Sequence, residues 1–532
     1  MGIILNFAMM FIEGLFRIVV FTGFYWVLLL TLPSEIYGWI TGNRVPDWMV
    51  DIGLYPGLVL ALFTTVQNII RMVTKDRSFS LLRAIMNRRS RNIGIESRLV
   101  GDTVASVKAS ELCGVVFGKL KSNFIIKPES ADGHILIIGG AGSGKTSGIA
   151  IPTIMSWKNR VFAIDIKGEL YEKTRAARSE ANIKVFNPTD RNAYRYDPYY
   201  MLRNTDDLSG EARSLALSIC PISADIKDPF WIRSAQYMLT GFIVYLFNRG
   251  LNFAESMRVI KSDNVKNLIA EIMESDDTRA ITEVSQFDGM NDKTLSGVFS
   301  ELSNHITVFA TSDDLQNALN GEGCCITPAD LENGYDIFCC IPEHKLDQWK
   351  DLFGMMCNQF LKAFERRPDS NTTPILFLID EFPRLGKIET VSTGLATLRS
   401  KKIHIALCVQ SKSQLNAIYG NDTSEVIADN CSYKAILRAS EPNTQEWCSK
   451  LVGTFDKLKK SSSYNADIIG IGKGQGSSTT TEEKRIIKPE EFAYLDDVVC
   501  MFPDGYRRVE KIRYWEEEAF SMVRSYDEFD LI

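Results

Sequence analysis

The chain has 532 residues, with 60 Lys and Arg against 66 Asp and Glu, 45% hydrophobic residues and 11 cysteines. That length suggests about two to four folding units, and ordinary apolar content with 10% aromatics excludes a disordered chain. A net charge of −6 excludes a uniformly basic nucleic-acid-binding surface, and a mean hydropathy of −0.06 averages over a strongly apolar start.

Residues 1–32 carry only Glu13 and Arg17 as charged side chains, and the run Ile52–Ile70 carries none. A helix crosses a bilayer with about 20 apolar residues, so both runs qualify. The second is weaker, because Pro56, Thr64, Thr65, Gln67 and Asn68 interrupt it. Glu13 and Arg17 stand four apart and can pair on one helix face. The sequence therefore predicts a two-helix transmembrane anchor over residues 1–75, with spans at about 12–32 and 52–72. A cleaved signal fits poorly, since no basic region precedes the apolar run and no small-x-small site follows it. Myristoylation fails because Asn6 stands where Ser or Thr is required. From Arg71 to Arg98 the bases Arg71, Lys75, Arg77, Arg83, Arg88, Arg89, Arg91 and Arg98 face only Asp76 and Glu96. The loop 33–50 has Arg44 alone, so the positive-inside rule puts the bulk of the chain in the cytoplasm. Residues 76–110 read as a basic juxtamembrane linker able to touch anionic lipid headgroups.

Residues 134–149 read HILIIGGAGSGKTSGI. A strand, Ile135–Ile138, enters a loop of Gly139, Gly140, Ala141, Gly142, Ser143, Gly144, Lys145 and Thr146, and Ser147 opens a helical stretch. This is the G-x-x-x-x-G-K-T phosphate loop in its strand–loop–helix setting. Glycines let backbone N–H groups turn toward phosphate oxygens at a helix N-terminus. Lys145 is placed for the β/γ-phosphates and the Thr146 hydroxyl for Mg²⁺, which makes ATP and Mg²⁺ the expected ligands.

Far downstream, an apolar run from Pro374 ends in Asp380-Glu381. This reads as a Walker B strand, with Asp380 in the Mg²⁺ shell and Glu381 polarising the attacking water. A third strand, Ile403–Val409, ends in Gln410, a candidate sensor of the γ-phosphate. Between the two lies Arg399 in LATLRSKK, a candidate trans arginine against a neighbour's γ-phosphate; Arg384 in DEFPRLG competes for that role.

Strand–helix alternation continues with Val161–Ile166, stops for a helical block over 199–319, and resumes at Tyr335-DIFCCIP. YKAILRA (433–439) and closing strands near 497–513 complete a pattern that implies a parallel α/β sheet with ligand at the carboxyl ends of its strands. The nucleotide-binding domain is thus expected over 111–198 and 320–515, with an all-α insert at 199–319 and an acidic tail at 516–532. Residues 461–483 are rich in Gly, Ser and Thr and read as a loop or hairpin, flanked by Lys457, Lys459 and Lys460 and containing Lys473. The cysteines show no C-x-x-C spacing and only four histidines accompany them, so they read as reduced core thiols.

With these elements placed, the chain resembles the type IV secretion coupling proteins of the TraG/TraD family. The strings that carry the likeness are IDIKGELYEKT, NPTDRNAYRYDP, DPFWIRSAQ, TLSGVFSELSNHITVFA, FLIDEFPRLG, LATLRSKKIHIALCVQS and IADNCSYKAILRASEPNTQEWCSKLVGT. The resemblance implies a RecA-like P-loop ATPase in the bacterial inner membrane that assembles as a hexameric ring. It implies cargo of DNA–relaxase complexes or effector proteins, delivered to a type IV secretion channel, with the all-α domain in substrate recognition. It places Lys145, Thr146, Asp380, Glu381 and Gln410 at nucleotide positions and Arg399 at a trans position. Asp165, Lys167 and Glu169 fall in a second motif whose role stays open. The sequence ends soon after the core domain, without the C-terminal extension that some relatives carry. An FtsK-like double-stranded DNA translocase would be expected to show four spans, a long linker and a winged helix. An ATP-gated docking receptor with little turnover is the non-enzyme alternative.

Overall fold

The apolar strand runs from Ile135 onward assemble into one sheet, buried on both faces. The computed structural model describes residues 103–222, 226, 228–369, 373–464 and 475–523. The two expected membrane spans lie outside them, and among the described residues no helix is long and apolar enough to cross a membrane.

In chain order the strands are β1 (Ala105–Val107), β2 (Gly114–Leu120), β3 (Asn123–Pro128), β4 (Ile135–Ile138), β5 (Arg160–Ile166), β6 (Ile183–Phe186), β7 (Arg195–Tyr196) and β8 (Cys325–Ile326). They continue with β9 (Asp336–Ile341), β10 (Ile375–Ile379), β11 (Ile403–Val409), β12 (Tyr433–Ile436), β13 (Thr454–Tyr464), β14 (Gln475–Arg485), β15 (Asp497–Phe502) and β16 (Gly505–Glu510). One 12-stranded sheet runs β1-β3-β2-β16-β15-β12-β4-β11-β10-β5-β9-β6. From β12 to β6 every pairing is parallel. From β12 back to β1 every pairing is antiparallel. The expected parallel sheet is therefore mixed, and its first strand lies inside the segment read as linker. The reason is that β1–β3 are short and join the sheet through β16, a partner almost 400 residues away, at Glu510 opposite Lys119.

Side chains along each central strand alternate between two cores. Leu136, Phe162, Phe377 and Leu407 face one cluster; Ile137, Ala163, Leu378 and Cys408 face the other. The first face is covered by the helix Leu346–Glu365 and by helices of the central block. The second is covered by the helical segment after the phosphate loop and by the helix Glu169–Arg178. Eight of the cysteines, Cys339, Cys340 and Cys408 among them, are buried thiols.

The central block contains only helices between β7 and β8, starting at Tyr200–Arg203 and ending at Asp313–Ala318. β7 and β8 pair in parallel, Arg195 with Cys325 and Tyr196 with Ile326, which fixes exit and return of the chain side by side. Its helix starts follow from side-chain caps: Asp207, Asn252, Asn264, Asp277, Asn291 and Ser312 each accept a backbone N–H from the first turn. The Gly/Ser/Thr-rich segment forms the arms of an antiparallel ribbon, β13 with β14; residues 465–474 between them lie outside the described set. The start of the acidic tail is anchored. Phe520 is buried edge-on against Phe124 at 5.9 Å, and Glu517 pairs with Lys119.

Candidate active site

The phosphate loop is tied to the strands on both sides of β4. Gly139 N–H donates to the Val409 carbonyl at the end of β11 (3.1 Å), and Gly140 N–H donates to the Arg438 carbonyl after β12 (2.8 Å). Gly142 and Gly144 take φ of 65° and 97°, a region open mainly to glycine, so the loop's turns need them. Ala141 and Gly142 are exposed at the loop tip, while Ser143 is buried with its hydroxyl unpartnered. Thr146 and Ser147, both half-buried, open a helix that starts as a π turn (Thr146–Ala150) and continues as α (Ile151–Ser156).

Lys145 is 5% exposed and folds back on its own loop, donating to the Gly139 carbonyl at 2.7 Å and the Gly140 carbonyl at 3.4 Å. Its Nζ also lies 4.0 Å from Glu381 Oε1. Glu381 and Asp380 follow β10, and Gln410 follows β11, the strand beside it. Gln410 Nε2 donates to Glu381 Oε2 at 2.6 Å. Glu381 holds φ 49° and ψ 42°, left-handed values that cost a non-glycine residue about 1 kcal/mol or more. The sequence-derived residues Lys145, Thr146, Asp380, Glu381 and Gln410 thus converge at the carboxyl ends of three neighbouring strands.

Asp380 is buried, and its Oδ1 has no hydrogen-bond partner. Burial, then the charges of Glu381 and Asp165, raise its pKa to about 7, against the lowering effect of Lys145. A buried carboxylate oxygen without a donor, close enough to the phosphate loop to feel the Lys145 charge, fits a divalent cation. Among the described residues no three His, Cys, Asp or Glu side chains converge on a metal site. A P-loop Mg²⁺ needs few protein ligands, because phosphate and water oxygens complete its shell.

The second motif acquires a structural role. Asp165, at the end of β5 next to β10, accepts the Tyr171 backbone N–H at 2.8 Å and so caps the helix Glu169–Arg178. Burial raises its pKa to about 6. Lys167, at φ 97°, reaches Glu343 at 3.6 Å, and the same Glu343 takes Arg384 at 3.4 Å. Glu343 was not singled out in the sequence, since a lone Glu after a strand carries no spacing signal. Arg399 is not part of this site. It is exposed before the start of β11, whereas Gln410 follows the strand's end. The seven residues of that strand separate them by about 20 Å at roughly 3.3 Å per residue. Lys511, just after β16, lies against Gly144 and was also missed; its only sequence signal is the basic run RRVEKIR.

A cavity of about 710 Å³ opens beside the site at the ends of β5, β9 and β6, lined among others by Lys167, Tyr171, Arg175, Asp190, Tyr194 and Cys340. It contains no phosphate-loop residue, so the loop and not the cavity defines the chemistry.

A family profile described as type IV secretory system conjugative DNA transfer matches residues 83–528. The protein VirD4 of Rhizobium radiobacter is 24% identical over 434 residues, covering 78% of this chain and 62% of that protein. The conjugal transfer protein TraG of Agrobacterium fabrum (strain C58) is 23% identical over 390 residues, covering 70% of this chain and 58% of that protein. This chain thus spans about three fifths of the length of these curated relatives. Among solved structures, the plasmid coupling protein TrwB in complex with the ATP analogue ADPNP superposes with a TM-score of 0.62 at 18% identity, covering 75% of this chain and 89% of that one. TrwB in complex with ADP and Mg²⁺ gives 0.59 at 18% identity, covering 71% and 85%. At that identity the likeness establishes a shared α/β fold.

Proposed function

Because this chain belongs to the type IV secretory system conjugative DNA transfer family, we propose that it is an ATP hydrolase that brings transfer substrates to a type IV secretion channel. The observation that carries the reading is the convergence of Lys145, Glu381 and Gln410, with Glu381 within 4.0 Å of the lysine and hydrogen-bonded to the glutamine. The name of the solved TrwB complex with ADP and Mg²⁺ supports nucleotide and magnesium as ligands.

In this reading the backbone N–H groups of Gly142, Gly144, Lys145 and Thr146 receive the phosphates, and Lys145 exchanges the carbonyls of Gly139 and Gly140 for β/γ-phosphate oxygens. Thr146 and Asp380 would hold Mg²⁺, which when bound would neutralise phosphate charge. Glu381 orients and polarises the attacking water. Gln410, bonded to Glu381, reports the arrival of the γ-phosphate to it. Arg399 lies at the far end of β11 and acts only on a neighbour, as in a homo-hexameric ring. Arg384 is held by Glu343 and is the weaker candidate.

The domain plan that goes with this function keeps a two-span inner-membrane anchor over 1–75 and a basic linker over 76–110. The nucleotide-binding domain occupies 111–198 and 320–515, the all-α substrate domain 199–319, and the acidic tail 516–532. Cargo is a DNA–relaxase complex or an effector protein. With no base-reading motif in the sequence, DNA contacts are sequence-independent and steeply salt-dependent.

The test is steady-state ATPase activity of the full chain in lipid nanodiscs, with and without single-stranded DNA. Wild-type hydrolysis that DNA stimulates and Lys145→Ala abolishes supports the reading. Equal activity in the two proteins removes it.

A further inference from the structure

The C-terminal strand delivers a second lysine to the phosphate loop. A Cβ built on Gly144 would stand 2.4 Å from Lys511 Cε and 2.9 Å from Lys511 Nζ, and one built on Gly148 would stand 2.8 Å from the Ile512 carbonyl oxygen. Gly144 is therefore constrained twice, by its φ of 97° and by the side chain lying over it. Ile512 is 3% exposed and roots the segment in the core, so the contact is built in and not a chance pose of a surface lysine.

Lys511 has no carboxylate within ion-pair distance among the described residues. Burial, then the charges of Arg438 and Arg513, lower its pKa, with Asp496 acting the other way. Arg513 is paired with Glu516 at 2.8 Å, whereas Arg438 is exposed, and its backbone carbonyl takes the Gly140 N–H. Two cations gathered around a loop whose N–H groups already attract anions repel one another, and a polyanion in the loop relieves that repulsion.

The side of approach identifies the part of the polyanion. Asp380, Glu381 and Gln410 stand on the β10–β11 side of β4, and Lys511 arrives from the β12–β15–β16 side. We propose that Lys511 is a second phosphate-binding lysine, which holds the α/β-phosphates of a nucleoside di- or triphosphate from the flank opposite Glu381, with Arg438 beside it. This rests on the reading of Gly139–Thr146 as a nucleotide site. Because the γ-phosphate machinery lies on the other flank, Lys511 contributes to binding ATP and ADP alike.

The experiment titrates fluorescently labelled ATP and ADP, each with Mg²⁺, into the full-length wild type, Lys511→Gln, Lys511→Met, Lys511→Arg and Lys145→Ala. Gln and Met keep most of the stem over Gly144, and thermal melting checks that each variant folds. The proposal expects Lys511→Gln and Lys511→Met to weaken both nucleotides by about tenfold, the size of one charge-assisted hydrogen bond, and Lys511→Arg to restore most of it. Unchanged Kd for both nucleotides, or a loss for ATP alone, overturns it. Wild type that binds neither nucleotide, or Lys145→Ala that binds both as wild type does, instead overturns the nucleotide-site reading beneath it.

Discussion

Gln410 Nε2 donates a 2.6 Å hydrogen bond to Glu381 Oε2, tying the residue that follows β11 to the carboxylate that follows β10. The bond orients the Glu381 carboxylate beside Lys145 of the phosphate loop, where a misplaced base costs rate more than affinity. Gln410→Ala is expected to lower kcat by roughly 10- to 100-fold with nucleotide Kd within about twofold. Gln410→Glu, which sets two carboxylates against each other, falls further. A Gln410→Ala enzyme with wild-type kcat contradicts the positioning role.

Glu381 sits in the left-handed region at φ 49°, a conformation glycine adopts without strain. Glu381→Gly is expected to keep or raise stability by up to about 1 kcal/mol in chemical denaturation while losing hydrolysis entirely. Stability sold for function at one residue is the signature of a catalytic position. A variant that is both less stable by several kcal/mol and still active contradicts it.

Lys127 is fully buried at the opposite end of the sheet, with its Nζ 3.0 Å from His404 Nδ1. Burial lowers its pKa from 10.5 to about 7, with Asp132 and Glu129 acting against burial and Lys402 with it. Between these values the unfolded chain holds a proton that the folded chain has released, so stability rises with pH over about 7 to 10.5, at most by about 1.4 kcal/mol per unit. The buried His134 and His404 are lowered too, and they act in the same sense only below their unfolded value of 6.5. Denaturation of wild type and Lys127→Met at several pH values above about 7 is expected to show a rise in the wild type that the variant lacks. Parallel curves contradict the assignment.

Asp336 is completely buried and takes Arg178 Nε at 2.8 Å, Arg178 Nη2 at 2.7 Å and the Val161 N–H at 2.9 Å. The pair clamps the helix capped by Asp165 onto the start of β9. Without Arg178 the buried Asp336 keeps only the Val161 N–H and Arg160 Nη1 at 3.9 Å, so Arg178→Ala is expected to cost about 3 kcal/mol. Calorimetric unfolding checks this, and a loss below about 1 kcal/mol would show the clamp to be dispensable.

Arg399 is separated from Gln410 by the length of β11, so Arg399→Ala is expected to leave nucleotide binding unchanged while reducing hydrolysis in the assembled ring by about 10³-fold. Mixing Arg399→Ala with Glu381→Gln subunits, each inactive alone, is expected to restore turnover where an intact arginine faces an intact glutamate. No recovery in mixed assemblies contradicts a trans role.

The local features were legible. HILIIGGAGSGKT contains its own strand, loop and helix start, and PILFLIDE and IHIALCVQ each display a strand with its terminal polar residue. The helical block, expected over 199–319, was readable as a break in the strand–helix alternation, and its helices run from Tyr200 to Ala318. What escaped depends on contacts between distant residues. The antiparallel half of the sheet requires β16 to return beside β2, and Lys511 reaches Gly144 only because it does. Likewise Glu343 gains its place between Lys167 and Arg384 from the order of β5, β9 and β10, which no spacing encodes.

The most direct measurement is the steady-state ATPase rate of the full chain in nanodiscs, compared with Glu381→Gln and with and without single-stranded DNA. The account predicts turnover in the wild type that DNA increases, and none in Glu381→Gln although that variant still binds Mg-ATP. Hydrolysis that survives Glu381→Gln, or a wild type that binds Mg-ATP and never turns over with DNA or protein cargo, contradicts it.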